Sequence, residues 1–441
     1  MTAPLVTVQP QSTSAASGSG ASGAAVAFRV TATGSGTLSY QWSRNGVNLP
    51  GATSAAYTQF GVSASDSASV FRVAVSNSAG AVTSAPATLT VSGPGIYQFA
   101  GPLPALVAVT GSVDGVGQEA RFRGPGGLGL DAAGNLYVAD LFNYTLRKVT
   151  PAGVTSTVAG AVQVPGTVDG SALVARFAHP NLLAATSTGA VYMQDMADSV
   201  HYPIRKIAVD GTVTTMVLPL DPFETNASGA ASAVTVRSFA VDAANNLYIA
   251  TEANMLGKCV PPQSLTSCGG NDYVRTALRK ISPTGTVTTI ATTETMFGSL
   301  QIGLHPSAIT ADAAGNVFFS NGWGIVKVTP GGVITSLAGK LEVPGRVNGS
   351  GAAARFNWAN AMTIDTQGNL FAIDGVFGEI QTVRMITPAG DVTTVAGNPA
   401  GGATTLGSLP GTLDRIHSIA VDKNGVLYLS SAGGILKIVL H

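Results

Sequence analysis

The sequence predicts an all-β protein, an N-terminal β-sandwich followed by a six-bladed β-propeller that an N-terminal strand closes into a ring. Three observations carry this. A phrase built as Gly127-Leu-Gly-Leu-Asp-Ala-Ala-Gly-Asn-Leu-Tyr-Val-Ala-Asp140 recurs every 53 to 70 residues, with Asp131, Thr186, Asp242, Asp312, Asp365 and Asp422 at its turn position. Ahead of it, about 92 residues hold short alternating strands and no copy of the phrase. Of the 441 residues, 45% are hydrophobic, only 10% are charged and 54 are glycine. That charged share is low against roughly 25% in an ordinary domain, and it suits strands joined by tight turns.

In the N-terminal part, strands are expected over 24–30, 38–44, 70–77 and 87–91, separated by Asn45-Gly46, Pro50-Gly51 and the stretch from Asn77 to Gly80. Strands at this spacing form sandwiches. The Ser/Gly/Ala-rich stretch 12–22 reads as a loop or weak edge strand. Tyr40-Gln41-Trp42 before Asn45-Gly46, Asp66 before Phe71-Arg72-Val73, and the run Val75-Ser76-Asn77-Ser78-Ala79-Gly80 together resemble immunoglobulin-like domains of bacterial surface and secreted proteins. The resemblance implies a buried Trp42 and a spacer or adhesive module. Phe28 and Val73 stand where antibody domains carry cysteines, and Phe71 stands where a corner tyrosine is usual. The expected division is a sandwich over 1–93, a linker over 94–104 and a propeller over 105–441.

Each repeat holds up to four strand-like runs, in the first copy over 127–130, 136–139, 146–149 and 155–158. A four-stranded unit cannot bury both faces alone, so six of them predict propeller blades. The repeated Asp begins an Asp-x-x-Gly/Asn turn, where its carboxylate accepts backbone amides. These are turn residues, not catalytic carboxylates. The last unit lacks a fourth strand. Ala105-Leu-Val-Ala-Val-Thr-Gly111 matches the fourth-strand pattern and is expected to fill that place, removing two sheet edges. Ala120-Arg121-Phe122, Asp131 to Asp140 and Leu146-Arg-Lys-Val-Thr-Pro151-Ala-Gly153 resemble NHL repeats, and the signature returns in Ala175-Arg-Phe177, Ile204-Arg-Lys-Ile207, Leu278-Arg-Lys-Ile281 and Ala354-Arg-Phe356.

The segment leading into each first strand is expected at the channel mouth, so chemistry is sought there. His179, Arg237, His305, Trp358, Asn360, Arg415 and His417 are the candidate ligand-binding residues. His179, His305 and His417 fall in alternate units and form a candidate site for a divalent metal, Zn²⁺ or Ca²⁺. This is similar to the propeller lyase that completes peptide amidation, except that His179 and His305 precede their prolines. Arg121, Arg176 and Arg355 read as braces to Asp114, Asp169 and Asn348, with anion binding as the alternative.

Net charge is zero, with 23 basic and 23 acidic residues and no dense cationic cluster, which disfavours nucleic acid as a partner. No stretch of about 20 apolar residues spans a membrane. Cys259 and Cys268 bracket a short proline-containing loop and read as a disulfide, hence an oxidising compartment. The expectation is a monomeric binding protein, secreted, periplasmic or on the cell surface, with its leader absent from this sequence, presenting the propeller to a protein or glycan. The alternative is a metal-assisted lyase or hydrolase at the channel mouth. No nucleophile elbow, phosphate loop or zincin motif is present in the sequence.

Overall fold

A computed structural model describes residues 1–16, 25–102, 110–197, 203–216, 234–255, 273–292, 306–340, 343–376 and 378–440. Among them are strands and short 3-10 turns but no α-helix. At the N-terminus, Val26–Arg29, Ser39–Arg44, Ser69–Asn77 and Ala87–Ser92 are strands close to the expected bounds. Val26–Arg29 belongs to a two-stranded sheet and the other three to a six-stranded one, around a common core. Period-two alternation turns Phe28, Trp42, Phe71, Val73 and Leu89 inward. Trp42 is fully buried and its indole donates to the Ser54 carbonyl at 2.8 Å. Phe28 stacks on Phe71 with ring centroids 4.3 Å apart, so aromatic packing fills the centre of this unit. Thr13–Ala16 lies parallel to Ala87–Ser92 at the sheet edge, as the composition of 12–22 allows.

From residue 95 onward the described residues form six antiparallel sheets of four or five strands. Numbered by their first strands, they begin at Pro125–Leu130, Pro180–Ala185, Val234–Val241, Ala308–Ala311, Ala359–Ile364 and Ile416–Val421. Each first strand packs against the next, and the sixth packs against the first, so the arrangement is cyclic. Strand packing this close needs small residues. A Cβ at Gly127 would lie 2.4 Å from the Asn181 carbonyl oxygen, and one at Gly129 would lie 2.7 Å from the Ala185 nitrogen. Between neighbouring sheets the apolar faces merge into shared cores, such as Ile325, Phe356, Leu370 and Ile386 between the fourth and fifth. The expected Asp turns are formed: Asp131, Asp242, Asp312, Asp365 and Asp422 each accept the amide four residues on, at 2.8 to 3.0 Å.

Ring closure differs from expectation. The fourth strand of sheet six is Gly95–Ala100, antiparallel to Gly434–Val439 with Ile96 opposite Ile438. It comes from the stretch read as a linker, whereas 103–109 lie outside the described residues. The reason is local. Phe99-Ala100-Gly101 ends like Val158-Ala159-Gly160, and Gly101, Gly160 and Gly339 all have positive φ. A Cβ at any of the three would lie 2.9 Å from the ring of Phe122, Phe177 or Phe356, respectively. The N-terminal unit is held to sheet one by Arg72, which donates from two nitrogens to Glu119 at 3.0 Å each. Asn45 Nδ2 adds a hydrogen bond to Gln118 Oε1 at 2.8 Å.

Candidate ligand-binding face

The starts of the first strands and the connections between second and third strands share one end of the cycle. Three buried carboxylates organise that end. Asp140, Asp195 and Asp374 close the second strands of sheets one, two and five and have no exposed surface. One oxygen of Asp140 accepts the Arg123 amide at 2.8 Å. The equivalent oxygen of Asp195 accepts the amides of Ala178 and His179, both at 2.8 Å. That of Asp374 accepts Asn357 and Trp358 at 2.7 and 2.9 Å. The other oxygens take the guanidinium groups of Arg147, Arg205 and Arg384 at 3.0, 2.9 and 2.8 Å. These arginines sit over the rings of Phe122, Phe177 and Phe356, 5.2 to 5.4 Å from the centroids. Burial pushes all three carboxyls up, and their amide and guanidinium partners pull the other way.

This corrects the expected brace. Asp114, Asp169 and Asn348 are reached by Arg147, Arg205 and Arg384, at 2.6, 2.7 and 3.0 Å. Arg121 and Arg176 instead donate to the carbonyls of the three residues just before them, and Arg355 to Ala352 and Ala354. The sequence does hold a signal for the true network. An Asp ending the second strand occurs in the same three units that carry Ala-Arg-Phe. In sheet three Thr251 takes that place, and its hydroxyl accepts from Arg279 at 2.7 Å.

The candidate residues fall as follows. His179 is exposed, its ring edge-on to Tyr144 with centroids 5.8 Å apart. Trp358 is half-buried and meets Trp323 in a T-shaped pair, 5.5 Å between centroids. Asn360 donates to the Gly375 carbonyl at 2.9 Å, and its own carbonyl oxygen is buried without a partner. Arg237, half exposed, pairs with the buried Glu252 at 2.5 Å. Arg415 is exposed, has φ of 54° and lies 3.7 Å from Asp414. His417 is at the surface, and partial loss of hydration holds its imidazole below the ordinary value. His305, Cys259 and Cys268 lie outside the described residues. Among the described residues no three ligating side chains come together as a metal site.

Sequence reasoning missed the aromatic partners Tyr144 and Trp323 and the exposed Phe142. All three lie on second-to-third-strand connections, which a search confined to the starts of the first strands does not reach. Toward the opposite end, the first strands enclose a cavity of about 320 Å³. Gly129, Ala184, Ala240, Thr310, Thr363 and Ala420 line it at equivalent positions. Asp312 and Asp365 at its rim are engaged by their own turns.

No family model matches the sequence, and no curated protein matches it. Solved structures do resemble it. A structural genomics protein of unknown function from Bacteroides thetaiotaomicron is 16% identical with a TM-score of 0.53, covering 98% of this chain and 97% of its own. An auxiliary nutrient binding protein from the same organism is 13% identical with a TM-score of 0.53, covering 95% of each chain. Another from Bacteroides ovatus is 14% identical with a TM-score of 0.53, covering 98% and 97%. At these identities the likeness concerns the fold alone: the chain is an all-β protein with a propeller-like arrangement.

Proposed function

We propose that this chain is a secreted or surface-exposed bacterial glycan-binding protein. In this reading residues 1–93 are an immunoglobulin-like spacer. The six sheets, with 95–100 as closing strand, are the blades of an NHL-type propeller. The ligand lies on the face where the first strands begin. One observation carries the reading: the aromatic pairs Tyr144–His179 and Trp323–Trp358 occupy equivalent junctions on that face. The first lies between sheets one and two and the second between sheets four and five, three sheets apart in a six-sheet cycle. An extended chain crossing the mouth would meet a ring on each side. Sugar rings stack on such faces through their C–H groups. The description of two similar folds as nutrient binding proteins accords with this role. A protein ligand is the other occupant to test.

The test is a glycan microarray with the whole chain, followed by calorimetry on any hit. Trp358→Ala and Trp323→Ala are expected to weaken binding about tenfold or more in proteins that still unfold cooperatively. Affinity indifferent to both substitutions, or no glycan bound, would sink the reading. Stoichiometric divalent metal together with an activity lost in His417→Ala would move it to the metal-assisted enzyme.

A further inference from the structure

The sheet-five corner departs from its two equivalents in charge. In sheet one the brace holds Asp114, Asp140 and Arg147, and in sheet two Asp169, Asp195 and Arg205. Each has one more carboxylate than guanidinium. In sheet five the carboxylate matching Asp114 and Asp169 is the neutral Asn348. Two positions earlier, Ser112 and Thr167 are matched by Arg346. The corner therefore carries Asp374, Arg384 and Arg346, one more guanidinium than carboxylate. Burial depresses the Arg384 guanidinium, Asp374 opposes this, and the charge of Arg346 adds to it.

Arg346 is held but not neutralised. Its Nη2 donates to the Ile380 carbonyl at 2.8 Å, and its Nε is buried without a partner. Among the described residues it makes no ion pair, not even with the exposed Glu379 beside Ile380; Glu342 lies outside the described residues. The turn that anchors it also anchors the tryptophan. The Gly375 amide donates to the Trp358 carbonyl at 3.0 Å, and a Cβ on Gly375 would lie 2.1 Å from the Ile380 oxygen. The backbone of Trp358 and the unpaired guanidinium of Arg346 are thus hydrogen-bonded to the two ends of one short turn, 375–380.

Resting on the glycan-binding reading above, we infer that this corner selects an acidic saccharide, with a uronate ring on Trp358 and its carboxylate on Arg346. Guanidinium and carboxylate match in planar, bidentate geometry, which a hydroxyl cannot reproduce.

The experiment uses the full chain and calorimetry against a panel of uronate oligosaccharides (galacturonate, glucuronate, mannuronate and guluronate). Their carboxyl-reduced neutral counterparts and a sulfated galactan complete the panel. The wild type is expected to bind an acidic oligomer about tenfold more tightly than its reduced form. Arg346→Ser, the residue found in sheet one, should abolish that preference and leave affinity for the neutral form within about twofold. Arg346→Lys keeps the charge and should retain part of it, which covers the case of a misfolded serine variant. Equal affinity for acidic and reduced forms overturns the inference and leaves glycan binding standing. Preference for the sulfated galactan over every uronate also overturns the carboxylate assignment. Binding of no panel member, with a neutral glycan bound on the microarray, overturns the inference alone. No glycan bound anywhere overturns both.

Discussion

Asp195 is buried, yet it determines where an exposed side chain stands. Its carboxylate fixes the His179 amide on one side and Arg205 on the other, so the loop that presents His179 is tied to the sheet behind it. Removing one partner strands the other charge without water. Asp195→Ala is expected to cost about 3–5 kcal/mol in urea unfolding, and Arg176→Ala about 1 kcal/mol or less. Equal costs would contradict the brace. A second residue-scale prediction concerns pH. Burial, then the charge of Asp131, push the Tyr137 phenol up to about 12, and the same kind of surroundings raise Tyr248 and Tyr428. A folded value above the unfolded value of about 10 means that this stability is complete below pH 10. It is lost as pH climbs from there through about 12. Phenolate absorbance should therefore show these tyrosines titrating late and together with unfolding. Ionisation of every tyrosine near pH 10 in folded protein would refute it.

At the scale of the element, the fourth strands of sheets one, four, five and six end on or beside a glycine, for a steric reason. Gly160 has φ of 90°, and a Cβ there would lie 2.4 Å from the Tyr144 carbonyl oxygen and 2.9 Å from the Phe177 ring. Gly285 has nearly the same φ, 89°, but open space around its missing Cβ. The pair separates conformational strain from collision. Gly285→Ala should cost about 1 kcal/mol, and Gly160→Ala about 3 kcal/mol, because overpacking adds to left-handed strain. Thermal melts of the two variants decide it, and equal shifts would count against the packing role. The ending Ala-Gly is legible in the sequence at 100–101. It does not stand out there because Val109-Thr110-Gly111 offers a similar but incomplete match, and one-dimensional similarity carries no information on which segment reaches Gly434–Val439.

For the whole molecule, closure makes the two ends of the cycle depend on each other. A chain lacking 1–93 keeps Gly95–Ala100 and should unfold in one transition. A chain lacking 1–101 leaves the Gly434–Val439 edge unpaired and should self-associate and melt at lower temperature. Light scattering after gel filtration distinguishes them; two equally monodisperse, equally stable proteins would remove closure as a stability determinant.

Most strands of the repeated unit and its Asp turns were readable from sequence, because period-two alternation and turn chemistry act over a few residues; the closing strand was not. Arg147 rather than Arg121 as the partner of Asp114 was not readable. Arg121 is the nearer of the two in sequence, Arg147 lies 33 residues from Asp114, and only the pairing of Thr145–Val149 within its sheet delivers the right guanidinium. Trp358 could be singled out as a departure from the repeat, but its partner Trp323 belongs to the neighbouring sheet. The unpaired Arg346 likewise gains meaning only beside Gly375 and Ile380, some 30 residues on. Local sequence specifies each sheet. The face proposed to bind a ligand is assembled from junctions between sheets, and those exist only once the cycle has closed.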